Sequence, residues 1–135
     1  MTESCGRLNY ETLALEDMHL GFPATFSEGS EIHAALARPS PGDRLVMRSL
    51  GENGIGLVTE SGFCVARLSQ KAQAEWRDRL SSVAKVRVLA MAHRTADQDL
   101  EPDRRERYQV PAWEIPIVEI VFEDKYPALD RRTGF

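Results

Sequence analysis

Polar and apolar residues alternate along two stretches of the chain, 54 to 68 (GIGLVTESGFCVARL) and 113 to 123 (WEIPIVEIVFE), with the two-residue period of strands that bury one face. Ser61-Gly62 divides the first stretch and predicts a hairpin of strands 55 to 60 and 63 to 68. Upstream, Leu45 and Met47 alternate with Arg44, Val46 and Arg48 after the turn pair Pro41-Gly42. The turn at 51 to 54 contains Gly51, Asn53 and Gly54, residues that tolerate positive φ, so a three-stranded meander is expected over 44 to 68. Ser69 then stands where a helix cap belongs, and Ala72, Trp76, Leu80 and Val83 recur at helical spacing. The apolar stripe of that helix, Trp76 included, is expected to pack on the sheet, with Glu75 and Arg79 spaced for a surface ion pair. From Lys85 to His93 the alternation resumes, with Val86, Val88 and Ala90 on one side and Arg87, Leu89 and Met91 on the other.

The first 40 residues are punctuated by Gly21, Pro23, Gly29 and Pro39 and read as irregular. A strand is expected near 15 to 22, followed by a short helix through 31 to 37, capped by Ser27 or Ser30 and stopped by Pro39. Residues 95 to 107 carry eight charges and almost no apolar side chain, which predicts a mobile loop. In the last strand Pro116 cannot donate to a ladder and implies an edge position or a bulge, and the inward set changes there from Trp113, Ile115 and Ile117 to Val118, Ile120 and Phe122. These elements predict a mainly β, α+β fold: a small antiparallel β-barrel of five or six strands with one well-defined amphipathic helix. It would occupy 41 to 124, with 1 to 40 packed on it as an irregular segment and 125 to 135 as a polar tail.

A chain of 135 residues supports one domain with one core. No run of about 18 apolar residues occurs, and the start MTESCGRLNY has neither a basic nor an apolar segment, so no membrane association and a cytoplasmic location are expected. Cys5 and Cys64, the only cysteines, support neither a disulfide framework nor a thiolate metal site, and Cys64 reads as a small core side chain. The net charge of −4 is unevenly spread: residues 38 to 94 hold ten basic against five acidic side chains, whereas residues 1 to 37 hold one against six. A basic middle attracts phosphates even on an acidic protein.

Motifs for chemistry are missing. There is no GxxxxGK(S/T) phosphate loop, and His19, His33 and His93 lack metal-ligand spacing, so no metal, no cofactor and no catalytic residue is expected. Glu119 stands among apolar neighbours, but one carboxylate without a partner does not make an acid–base pair. What remains is a binding surface. Arg44, Arg48, Asn53, Arg67, Lys71, Arg87 and Arg94 could outline a phosphate-contacting groove, with Phe63 as a stacking platform.

The run PGDRLVMRSLGENGIGLVTESGFCVARLSQKAQAEW resembles the HIRAN domain, a small barrel attached to DNA-processing helicases, in its Gly-Asp-then-apolar strand, Asn-containing hairpin and alanine-containing helix. The closing WEIPIVEIVFED and the ARLS step are similar to the C-terminal accessory region of some bacterial RecQ-family DNA helicases. The resemblance covers about residues 40 to 124 and implies a role in DNA repair, with Arg44, Asn53, Phe63 and Arg67 as DNA contacts. The motor motifs of a helicase are absent, so the resemblance implies either an accessory piece cut from a helicase or a free-standing relative whose helicase partner is separate. The expectation is a monomeric, non-enzymatic accessory domain that holds single-stranded or end DNA. The competing expectation is a protein-interaction module that uses the strand containing Pro116 or the apolar N-terminal segment.

Overall fold

The apolar positions of the alternating stretches meet in one antiparallel sheet. A computed structural model describes residues 7–124; the terminus around Cys5 and the tail 125 to 135 lie outside that range. The strands are β1 (Arg7–Leu13), β2 (Arg44–Ser49), β3 (Ile55–Val58), β4 (Cys64–Arg67), β5 (Val83–Thr95) and β6 (Ala112–Asp124). The helices are α1 (Glu31–Ala37), α2 (Gln70–Trp76) and the single turn α3 (Pro102–Arg105). The six strands lie in the order β1-β6-β5-β2-β3-β4, every neighbouring pair antiparallel. The mainly β class and the strand number are as the sequence predicts.

The sheet does not close into a true barrel. Its edges, β1 and β4, share no ladder, and the gap is spanned by a single bridge between Met18 and Leu68. Two backbone bonds flank the bridge, from His19 N–H to the Arg67 carbonyl and from Ser69 N–H to the Asp17 carbonyl, each 2.8 Å. The expected strand near 15 to 22 is therefore reduced to one bridge, and the regular strand lies earlier, at β1. The Asp17 carboxylate accepts the Ala14 N–H at 3.1 Å and turns the chain into a 3-10 helix at Leu15–Asp17, a local alternative to the ladder.

β2, β3 and β4 form the expected meander. Gly51 and Gly54 adopt φ of +68° and +85° in the β2–β3 turn, and the Gln73 amide of α2 sits directly over Gly54 while donating to the Leu68 carbonyl at 2.9 Å. The Ser30 hydroxyl caps α1 by accepting from Ile32 N–H, and the Ser69 hydroxyl caps α2 by accepting from Ala72 N–H at 3.2 Å. α2 is shorter than its apolar spacing implies: after Trp76 the chain tightens into a 3-10 helix over Arg77–Ser82, and Val83 already belongs to β5. Trp76 is wholly buried and meets Phe122 edge to face. Arg79 does not pair with Glu75. Its guanidinium lies 3.9 Å from the centre of the Trp76 ring and 3.5 Å from the Glu11 carboxylate, because the tightened turn carries it over the aromatic pair.

β5 and β6 form a long hairpin in which the register shifts between Val88 and Ala90. The extra residue resets the phase of β5: Val86 and Val88 are buried, Ala90 is exposed, and Met91 packs against the core. On β6 the buried positions change from Trp113 and Ile115 to Val118 and Ile120 across Pro116, as expected, while Ile117, also expected inward, is only half-buried and Phe122 packs partly buried against the core. Pro116 lies opposite Met91 in the half of β6 that β1 does not reach, an edge position of the kind proline tolerates.

The segment 95 to 107 is not the loose loop its composition implies. Its anchor is Asp99, buried and accepting from the Arg104 guanidinium at 2.9 Å, the Glu101 N–H at 3.0 Å and the Tyr108 hydroxyl. These bonds hold the carboxyl far below its ordinary range, the Arg104 bond contributing most, and burial raises the Tyr108 hydroxyl. A charge-rich sequence orders here because one carboxylate gathers three donors. Among the described residues no helix is long and apolar enough to cross a membrane.

Candidate functional site

Sheet register decides which of the singled-out cations share a surface. Residues directly opposite in an antiparallel ladder project to the same face. Arg48 on β2 faces Gly56 on β3, and Gly56 faces Arg67 on β4, so Arg48 and Arg67 stand on one face about 10 Å apart at the Cα atoms, two strand spacings. Four residues away from Arg48 along β2, about 13 Å, Arg44 projects to that face too and lies directly opposite Arg87 of β5. Arg87 in turn lies opposite Glu119 of β6 and forms an ion pair with it. That carboxylate offsets part of the repulsion between the facing arginines.

These four arginines therefore share the outer face of β2, β3, β4 and β5. Among the described residues no carboxylate lies within 4.0 Å of Arg44, Arg48 or Arg67. The Nε atoms of Arg67 and Arg87 are buried without a hydrogen-bond partner. Between the arginines the surface is apolar: Val46 is exposed, and Leu50 and Cys64 lie over Gly56 closely enough that a Cβ there would meet Leu50 Cδ1 at 2.6 Å and Cys64 Sγ at 3.0 Å. Cys64 is thus a half-buried residue of the outer face rather than a core side chain, and its Sγ–H donates to the Ala66 carbonyl. Burial pushes the thiol up from its ordinary pKa. The Arg67 guanidinium reaches to within 5.8 Å of the Phe22 ring centre, on the side where His19 N–H bonds the Arg67 carbonyl. His19 stands nearby, and burial, with Arg67 and Arg104 adding to it, lowers its pKa.

Of the remaining candidates, Arg94 and Lys71 lie apart from that face, while Phe63 shares a cleft with Arg44 at its end. Arg94 sits near the end of β5 opposite Trp113, its Nε also buried and unpartnered. Lys71 is on α2, 3.9 Å from Asp17. The Asn53 side chain is outside the described structure. Phe63, at the β3–β4 hairpin, is partly buried against the core and borders a cleft of about 700 Å³ between that hairpin, α1 and the start of β2. Arg38 and Arg44 line the cleft together with Glu31, Asp43 and Glu60, so its charge is mixed. This cleft has no signal in the sequence, since its walls come from three separate segments. Trp113 is buried and its indole N–H donates to the Leu20 carbonyl at 2.7 Å, so its ring does not face solvent. The N-terminal apolar residues Leu13 and Met18 are buried in the core, and Leu15, Leu20 and Phe22 pack against it.

The three histidines occupy separate settings. His33 Nε2 is 3.0 Å from the Phe26 carbonyl, His93 Nδ1 is 2.6 Å from Glu114, and His19 lies beside the β4 edge. Glu119 faces outward in the ion pair with Arg87 rather than into the core. No family model, no curated protein and no solved structure matches the chain.

Proposed function

We propose that the outer face of β2 to β5 binds the phosphate backbone of single-stranded or end DNA, and that the domain acts as a non-enzymatic accessory of helicase or repair machinery. The observation that carries the reading is the ladder register, which sets Arg48 beside Arg67 across Gly56 and Arg44 beside Arg87 on one face. Arg48 and Arg67, with Cα atoms about 10 Å apart, and the directly opposed pair Arg44 and Arg87, about 13 Å further along β2, suit a backbone that passes over the sheet, and the apolar strip of Val46 and Leu50 between them offers sugars and bases a surface that carries no charge. Each arginine presents forked donors that match phosphate oxygens. The link to helicases rests on the resemblance of 41 to 76 to the HIRAN domain and of 113 to 124 to the RecQ accessory region.

Fluorescence anisotropy with labelled single strands, blunt duplexes and overhangs tests this. Four phosphate contacts on a single strand give a salt slope of about −2.8, a loss of about 50-fold in affinity between roughly 50 and 200 mM salt. Replacing any one of Arg44, Arg48, Arg67 or Arg87 by alanine is expected to shallow the slope by about 0.7. Absence of binding to every oligonucleotide at low salt removes the proposal.

A further inference from the structure

The sheet has a second exposed feature, independent of the arginine face. β1 pairs with β6 on one side only, and among the described residues nothing forms a ladder with its other edge. Residues 7 to 13 include no proline, no lysine and no bulge, the devices that usually protect such an edge. Two large side chains project from it into solvent on one face, Leu8 at 53% and Tyr10 at 62% exposure. On the opposite face Arg7 and Glu11 stand at either side of Asn9.

This arrangement is complementary to itself. When two copies of Arg7–Leu13 run antiparallel about a two-fold axis through Asn9, Arg7 of each falls opposite Glu11 of the other, and Leu8 of each opposite Tyr10. Both charges are matched and both exposed apolar side chains gain a neighbour. An axis through Tyr10 instead sets Arg7 against Leu13 and Glu11 against Asn9, and an axis through Leu8 sets Arg7 against Asn9; each loses the charge match. A two-fold axis normal to the sheet keeps like faces together, so Glu11 would stand between Arg79 of its own chain, 3.5 Å away, and Arg7 of the second copy.

We propose that β1 is an isologous dimer interface, pairing with β1 of a second copy in the register centred on Asn9 and joining two sheets into one. The ladder is short, so the dimer is a reversible one and the protein is a monomer when dilute. This differs from the monomer that a closed barrel implies, because the open edge is what a closed barrel lacks.

Sedimentation velocity of the full chain over a series from about 1 to 300 µM, the range that suits a small interface, is expected to show the mass rising toward twice 15.2 kDa. Arg7→Glu places carboxylates opposite carboxylates and Glu11→Arg places guanidiniums opposite guanidiniums, so each alone is expected to weaken association about tenfold or more. An equimolar mixture of the two restores both matches and is expected to associate again. Independently of those variants, Asn9→Cys in a Cys5→Ser, Cys64→Ala background is expected to yield a covalent dimer on mild oxidation, because opposite residues have Cα atoms about 4.5 to 5.5 Å apart. A wild-type mass that stays monomeric throughout, a dimer that survives both charge reversals, or an Asn9→Cys chain that does not cross-link overturns the proposal.

Discussion

Arg44 and Arg87 separate binding from stability at single positions. Directly opposite one another, they repel, and Arg87 alone has a carboxylate partner, Glu119. Arg44→Ala removes a like-charge neighbour and is expected to leave stability unchanged or slightly raised while lowering DNA affinity. Arg87→Ala strips Glu119 of its cation and is expected to cost about 0.5–1 kcal/mol, since the pair is partly exposed and screened, besides lowering affinity to a similar degree. Urea denaturation and anisotropy on the two variants check this; equal stability losses would contradict it. The candidate arginines are visible in the sequence because charge is a property of residue type. Which of them stand together is not visible. Arg48 and Arg67 are 19 positions apart and become neighbours only through the pairing of both with Gly56. Arg94, of the same type and on the same strand as Arg87, lies beyond the bulge and away from the others.

Among the elements, the segment that joins β5 to β6 shows how one buried group overrides composition. Asp99 anchors it through Arg104, Tyr108 and the Glu101 backbone, and its carboxyl is held well below the ordinary range. A carboxyl depressed in the folded state stabilises fully above its unfolded pKa of about 4, and that contribution is lost as pH falls from there toward the folded value. Asp99→Asn is expected to cost about 1–3 kcal/mol near neutral pH, the difference from wild type staying constant down to about pH 5 and shrinking below pH 4. Thermal melts across pH 3 to 7 read that difference, and a gap that does not narrow on the acid side counts against the role assigned to Asp99. Hydrogen exchange in 96 to 111 should rise in the same variant. The sequence shows eight charges in this stretch but not that one of them is buried, because burial of Asp99 depends on Arg104 and Tyr108 folding back over it. The meander and both serine caps, by contrast, are set within a few residues and were legible from local spacing.

For the molecule as a whole, the N-terminal segment is part of the core rather than an attachment to it. β1 completes the sheet beside β6, Met18 bridges to Leu68, and the Trp113 indole holds the Leu20 carbonyl at 2.7 Å. These ties join residues 7 to 26 to both ends of the sheet, so equilibrium unfolding is expected to give coincident transitions by tryptophan fluorescence and by far-ultraviolet circular dichroism. An early fluorescence change, with the sheet signal intact, would show the N-terminal segment letting go first.

The periodicities of two and of about 3.6 residues are local, and they alone determine that this chain makes a mainly antiparallel β fold with a capped helix packed through Trp76. Which strands become neighbours, where the edges fall, and which arginines meet depend on contacts between residues far apart in sequence. No short-range pattern records those contacts; the pairing of β1 with β6, of β2 with β5, and of Arg48 and Arg67 with Gly56 decides them, and with them both the arginine face and the open edge.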